Sequence, residues 1–171
     1  TGTFIAELMR VLKECGATNE QLEYKYSHDI WCNEIRLLAY YISLINIEDT
    51  YNRLTSNYKP FTHAVLTDTF EMSEHKPGEE YQGHLNEEDD FKEASEIARE
   101  EDKQNIRIII GNPPYSVGQH NANEGNKNNS YPSIDNRILK TYRNFARGAN
   151  KKLLYDSYVR AFRWASDRIS D

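Results

Sequence analysis

The chain has 171 residues and a net charge of −6, with 38% hydrophobic and 28% charged content, twelve Tyr and two Cys. That length suits one domain or part of a larger one, and the acidic balance argues against a uniformly basic nucleic-acid binder. No apolar run approaches the roughly 18 residues that a membrane span requires, so a cytoplasmic protein with no membrane partner is expected. Neither Cys15 and Cys32 nor the five His have ligand spacing, so no metal is expected.

The opening "TGTFIAELMRVLKECG" reads as a loop entering a helix, with Ile5, Leu8, Met9 and Leu12 at helical spacing and Gly16 as the stop. "YSHDIWCNEI" offers a short strand around Ile30 and Trp31 that ends at Glu34. In "EIRLLAYYISLINIEDTYNRL", Ile35, Leu38, Ala39, Ile42, Ile45 and Asn46 recur every three or four residues, which predicts a helix. "FTHAVLTDTF" gives a strand over 64–67 with Asp68 at its end. A loop over 73–85 leads to a helix capped by Asn86, with Glu87, Glu88, Asp89 and Asp90 in its first turn.

Residues 106–110, "IRIII", are the strongest strand candidate, and their apolar run suits a strand buried on both faces of a parallel sheet. Asn112-Pro113-Pro114-Tyr115 ends it, because proline lacks a backbone donor and fixes its own φ. An Asn-rich loop over 119–130 precedes two helices, near 135–147 and 151–169. The last is amphipathic through Leu154, Tyr158, Phe162, Ala165 and Ile169. Alternating strands and helices define an α/β class with a mostly parallel sheet.

Charge is divided unevenly. From Asn112 onward there are ten Lys and Arg against five Asp and Glu, whereas the preceding part has eleven against twenty-two. Arg137, Lys140, Arg143, Arg147, Lys151, Lys152, Arg160, Arg163 and Arg168 could meet a polyanion, or could simply be solvated helix faces.

Ligands of open parallel sheets bind outside the carboxyl ends of the strands. Three features fall at such ends. Thr1-Gly2-Thr3 leads into a helix, Glu34 is placed to accept from a ribose diol, and Asp68 is placed to accept from an exocyclic amine. Together they specify an adenosine-shaped site, which a nicotinamide cofactor would also fit. Asn112 and the carbonyl of Pro113 supply two acceptors for an NH₂ group, stiffened by the prolines, and Tyr115 offers a face for a planar ring. Such a set suits group transfer to a planar amine.

Asn112-Pro113-Pro114-Tyr115 after a strand resembles the hallmark of S-adenosylmethionine-dependent amino-group methyltransferases. "TGTFI" is similar to the tail of their glycine-rich cofactor loop. "NEIRLLAYYISLINIE", "LTDTF", "IIIGNPPYS" and "YDSYVRAFRWASDRI" resemble, more narrowly, the methyltransferase region of large single-chain restriction–modification proteins with helicase and nuclease parts. The resemblance implies a Rossmann-like methyltransferase sheet present only in part, with its first and later strands missing. Residues 1–111 would form a cofactor-binding half, and 112–171 the loop and a basic helical segment. S-adenosylmethionine would be held by Thr1, Gly2, Thr3, Phe4, Glu34, Ile35, Asp68 and Phe70. Asn112, Pro113, Pro114 and Tyr115 would take the N6 amine of a flipped-out DNA adenine. The partners would then be DNA and the rest of the parent polypeptide, and these residues alone would show little or no activity. The same tetrapeptide also serves enzymes acting on RNA or a protein glutamine, and a non-catalytic nucleic-acid-binding module is the competing class.

Overall fold

The computed structural model describes residues 1–74, 90–113, 130–144 and 156–169. They fall into two compact units, one of residues 1–69 with 90–104, the other of 70–74 with 105–113, 130–144 and 156–169.

The first unit begins with α1 (Thr3–Glu14), which stops where the sequence says it should. Gly16 takes φ 93°, its amide donates to Lys13 O at 3.0 Å, and the Ala17 amide reaches Leu12 O at 3.0 Å. A residue without Cβ enters that left-handed turn at little cost, so the orphan carbonyls of the last helical turn are satisfied. α2 (Asn19–Tyr24) starts from a reciprocal cap: Gln21 N donates to Thr18 Oγ1 at 3.2 Å, and Thr18 N to Gln21 Oε1 at 2.9 Å. It continues into a π-helical turn, Lys25–Asp29.

Next come β1 (Cys32–Glu34), α3 (Leu37–Thr55) and β2 (Ala64–Leu66). The strands pair in parallel, with Cys32 opposite Ala64, Asn33 opposite Val65 and Glu34 opposite Leu66. Cys32 N→His63 O at 3.0 Å and Thr67 N→Glu34 O at 2.9 Å extend the ladder at both ends. Side chains alternate along a strand. Cys32 therefore faces the core of Met9, Leu22, Tyr26, Ile47 and Tyr51. Asn33 faces the other way and donates from Nδ2 to Glu101 Oε1 at 3.1 Å. Glu101 lies on α5 (Asp90–Asp102), so the two strands sit between α3 and α5, with α1 packed on α3.

Aromatic rings fill the end of this core remote from the strand ends. Tyr26 stacks on Tyr51 at 4.0 Å, meets Phe61 at 5.1 Å, and donates its hydroxyl to Lys59 O at 2.8 Å. A buried phenol needs such an acceptor, and burial, helped by nearby Glu48, pushes its pKa well up. Trp31 lies flat on His63, centroids 4.1 Å apart, and His63 Nδ1 is 3.2 Å from Ile30 O.

In the second unit, α6 (Pro132–Lys140) opens with proline, which loses no bond at a first helical position. Its free amides are capped from a distance: Glu74 accepts from Ser133 N at 2.6 Å and Ile134 N at 3.0 Å. α6 ends earlier than expected, in a 3₁₀ turn at Tyr142–Asn144, and α7 is Ser157–Ile169. Tyr131, Ile134 and Ile138 form the core, with Phe70, Tyr142, Val159 and Trp164 against them. Arg160 pairs with Asp135 through two 2.8 Å bonds, its guanidinium 5.0 Å above the Tyr131 ring. Arg137 Nε lies 2.7 Å from Asp167, which also pairs with Arg163.

Three expectations change. Residues 106–110 carry no strand pairing among the described residues, and Ile108 and Ile110 are 77% and 54% exposed rather than buried on both faces. An apolar run is buried only where a neighbouring strand or helix covers it. In α3 the stripe of Leu38, Ile42 and Ile45 is exposed, and the buried face is Ser43, Ile47, Thr50 and Tyr51. In the basic stretch, the largely buried Arg160 and Arg163 pair with Asp135 and Asp167, and the partly exposed Arg137 also pairs with Asp167. The Asn86 cap lies outside the described residues. Among the described residues no helix is long and apolar enough to cross a membrane.

Asp135→Ala would leave the part-buried Arg160 without its bidentate partner. It is expected to cost about 2–3 kcal/mol, read from urea unfolding. Burial, opposed by the contact with Ile30 O, holds the His63 imidazole below its ordinary pKa. The unfolded chain then takes up more protons, so stability is present above about pH 6.5 and falls as pH drops through the folded value. His63→Gln should flatten that acid-side decline in thermal melts.

Candidate cofactor and substrate site

The parallel register brings two acidic residues to the same end of the strand pair. Glu34 is the last residue of β1, and Asp68 follows β2 by two residues, half-buried. In the Glu34 side chain the two oxygens have separate tasks. Oε1 accepts from the Ile35 and Arg36 amides at 3.1 and 3.4 Å, which fixes the carboxylate against the turn into α3. Oε2 lies 3.2 Å from the backbone nitrogen of Thr1. The opening turn and the end of β1 are thus adjacent, although 33 positions separate them in the chain.

Gly2 holds the turn in that place. Its φ of 71° lies in the left-handed region, and a Cβ built there would stand 2.9 Å from Ser43 O and 3.0 Å from Ile47 Cγ1. Both the backbone conformation and the close approach to α3 require glycine. Thr1 and Thr3 are exposed, their hydroxyl oxygens 3.3 Å apart, and Phe4 is exposed beside them. Ile35, next to Glu34, is 41% exposed, an apolar side chain at a strand end where packing does not demand one.

Thr1, Gly2, Thr3, Glu34, Ile35 and Asp68 all belong to the first unit. Phe70 belongs to the second, where it packs edge-on against Tyr131 at 5.3 Å and supports the apolar cluster there. Asn112 is exposed and Pro113 half-buried in the same unit. Pro114 and Tyr115 lie outside the described residues. Among the described residues no cluster of three His, Cys, Asp or Glu side chains could hold a metal ion.

Two contributors were not read as site residues. Ser43 and Asn46 of α3 form the seat under the opening turn, Asn46 Nδ2 donating to Thr1 O at 2.9 Å. Asn46 stands within the helical repeat, but a polar residue there does not announce a contact 45 positions away. Ser43 is buried and donates to Tyr40 O at 2.7 Å. Cys32, beside it, packs against the core and has its thiol pKa raised chiefly by burial, with the Ser43 contact acting in the opposite direction.

A parallel strand pair covered by helices, with carboxylates and a glycine turn at the strand ends, is the general arrangement of ligand-binding α/β proteins. No protein-family model matches the chain, and no curated protein matches it. Solved structures do. The chain is similar to a nuclease-deletion mutant of the Type ISP restriction-modification enzyme LlaGI in complex with a DNA substrate mimic, with 38% identity over 98% of this chain and a TM-score of 0.84. It is similar to the ATP-dependent Type ISP restriction-modification enzyme LlaBIII bound to DNA, with 36% identity over 99% and a TM-score of 0.84. It is similar also to the DrdV–DNA complex, with 39% identity over 99% and a TM-score of 0.79. The chain spans 14%, 12% and 15% of those three chains, so the similarity is to one region of each.

Gly2→Ala is expected to destabilise the first unit by about 2 kcal/mol, because a left-handed conformation disfavoured by L-residues coincides with a contact against backbone. Urea unfolding of the variant would measure it, with Gly16→Ala, whose Cβ would meet open space, isolating the left-handed penalty alone.

Proposed function

We propose that this chain is part of the methyltransferase portion of a restriction–modification protein, with a Rossmann-like sheet, and that it serves transfer of a methyl group from S-adenosylmethionine to the N6 amine of adenine in DNA. The observation that carries the reading is the end of the strand pair. A carboxylate is fixed by two backbone amides beside a glycine turn, and a second acidic residue stands two positions beyond the neighbouring strand. The similarity to DNA-bound restriction-modification enzymes along almost the whole chain supports the same reading.

The residues present fit the cofactor. Glu34 is an acceptor held in place, which is what two vicinal ribose hydroxyls require of a partner. Exposed Ile35 offers an apolar surface to an adenine ring, and Asp68 an acceptor for its amine. The backbone of Thr1 to Thr3 approaches closely because Gly2 has no side chain. When bound, S-adenosylmethionine supplies a sulfonium methyl as the electrophile. Asn112 Oδ1 and the Pro113 carbonyl accept the two N–H bonds of the target amine. They draw density onto its nitrogen and hold it on the line of attack. With Asn112 and Pro113 holding the nitrogen, the N–C bond would form as the S–C bond broke, and the extra proton on nitrogen would leave to solvent. The target base must first leave the duplex stack, which costs roughly a few kcal/mol. Stacking on Tyr115 returns about 1–3 kcal/mol of that.

The test uses the full-length polypeptide with tritiated S-adenosylmethionine and DNA, RNA and protein offered together. Label in DNA adenine is the expected result. Label in RNA or protein would overturn the substrate, and cofactor binding without label would point to a binding module. Asn112→Ala should abolish transfer with cofactor affinity within about twofold. Glu34→Ala should weaken cofactor binding by about tenfold or more, roughly 1.4 kcal/mol, in calorimetric titration.

A further inference from the structure

The opening turn is gripped from three sides. Glu34 faces the backbone nitrogen of Thr1 at 3.2 Å, Ser43 and Ile47 close against Gly2, and Asn46 donates to the Thr1 carbonyl at 2.9 Å. The first comes from the end of β1, and the other two come from one face of α3. Asn46 is solvent-exposed, so burial does not hold its side chain in this rotamer. Among the described residues, its side-chain partner is the carbonyl of that turn, 45 positions away.

We infer that Asn46 is a positioning residue for the cofactor loop. It fixes the Thr1 carbonyl, and so sets where the Thr1–Thr3 backbone stands beside Glu34, the carboxylate proposed to receive the cofactor's ribose. The inference rests on the S-adenosylmethionine reading of this site. Asn46 touches no ligand and acts through Thr1 alone. Gly2 and Asn46 are complementary: the missing Cβ lets the turn reach α3, and the amide stops it sliding along the helix once there. An acidic side chain at this position would place an acceptor against the Thr1 carbonyl and push the turn away.

The experiment compares wild type, Asn46→Ala and Asn46→Asp in the full-length polypeptide. Three quantities are measured: amide exchange of residues 1–6 without ligand, binding of S-adenosylmethionine, and its KM against kcat. Because Asn46 is exposed, the melting temperatures of ligand-free variants should stay within about 2 °C of wild type. Exchange at the turn should quicken, since local opening becomes easier. KM for the cofactor should rise about tenfold in Asn46→Ala and further in Asn46→Asp, with kcat at saturation within about twofold. Wild-type KM in both variants would overturn the inference, even if exchange quickened, because the contact would then be merely structural. Equal falls in kcat and stability would overturn it as well. A wild-type protein that binds no S-adenosylmethionine would instead overturn the underlying reading, and this inference with it.

Discussion

Parallel pairing of two short strands is the constraint from which the first unit follows. Parallel neighbours cannot be joined by a tight turn, so the chain must cross over between β1 and β2, and α3 is that crossover. Once the strands run the same way, their carboxyl ends lie together, and whatever follows each strand is delivered to one edge. Glu34 and Asp68 owe their placement to this register. A slip of one residue would turn Cys32 away from the core and Asn33 away from Glu101, so the pattern of side chains locks the alignment.

α3 is graded along its length to serve that edge. Near the strand ends its inward face presents Ser43, small enough for the Gly2 turn to come within van der Waals contact of backbone. Toward its other end the same face presents Ile47, Thr50 and Tyr51, and the ring of Tyr51 stacks on Tyr26. The bulky end contributes Ile47 and Tyr51 to the apolar core of the unit. The small end permits a close approach of backbone to backbone. Stability and access are thus separated along one helix.

The sequence made legible whatever rests on local rules. The Gly16 stop, the strand ending at Glu34, the strand beginning at Ala64 and the Asp68 that follows were all readable, because turn chemistry and alternation act within a few residues. The buried face of α3 was not. Hydropathy favours Leu38, Ile42 and Ile45, whereas burial selected Ser43 and Thr50, whose value lies in size and hydrogen bonding against a neighbour. The 106–110 run failed for a related reason: apolar character says that a segment tolerates cover and does not supply the cover. Asn46, and the pairing of Arg160 with Asp135, depend on which elements pack together, and no local pattern encodes that. Of the NPPY motif, Asn112 and Pro113 are described and follow a run without strand pairing, and its last two residues lie outside the described residues.

A purely structural account explains part of the site but not all of it. Structure alone gives Glu34 a task, because its Oε1 accepts from the Ile35 and Arg36 amides. It gives no reason for Ile35 to stand beside that acid with its side chain open to water, since an exposed apolar residue at a strand end gains nothing from burial. An anchored acceptor, an exposed apolar side chain and a second acidic residue at one sheet edge are the features on which the proposed S-adenosylmethionine reading draws.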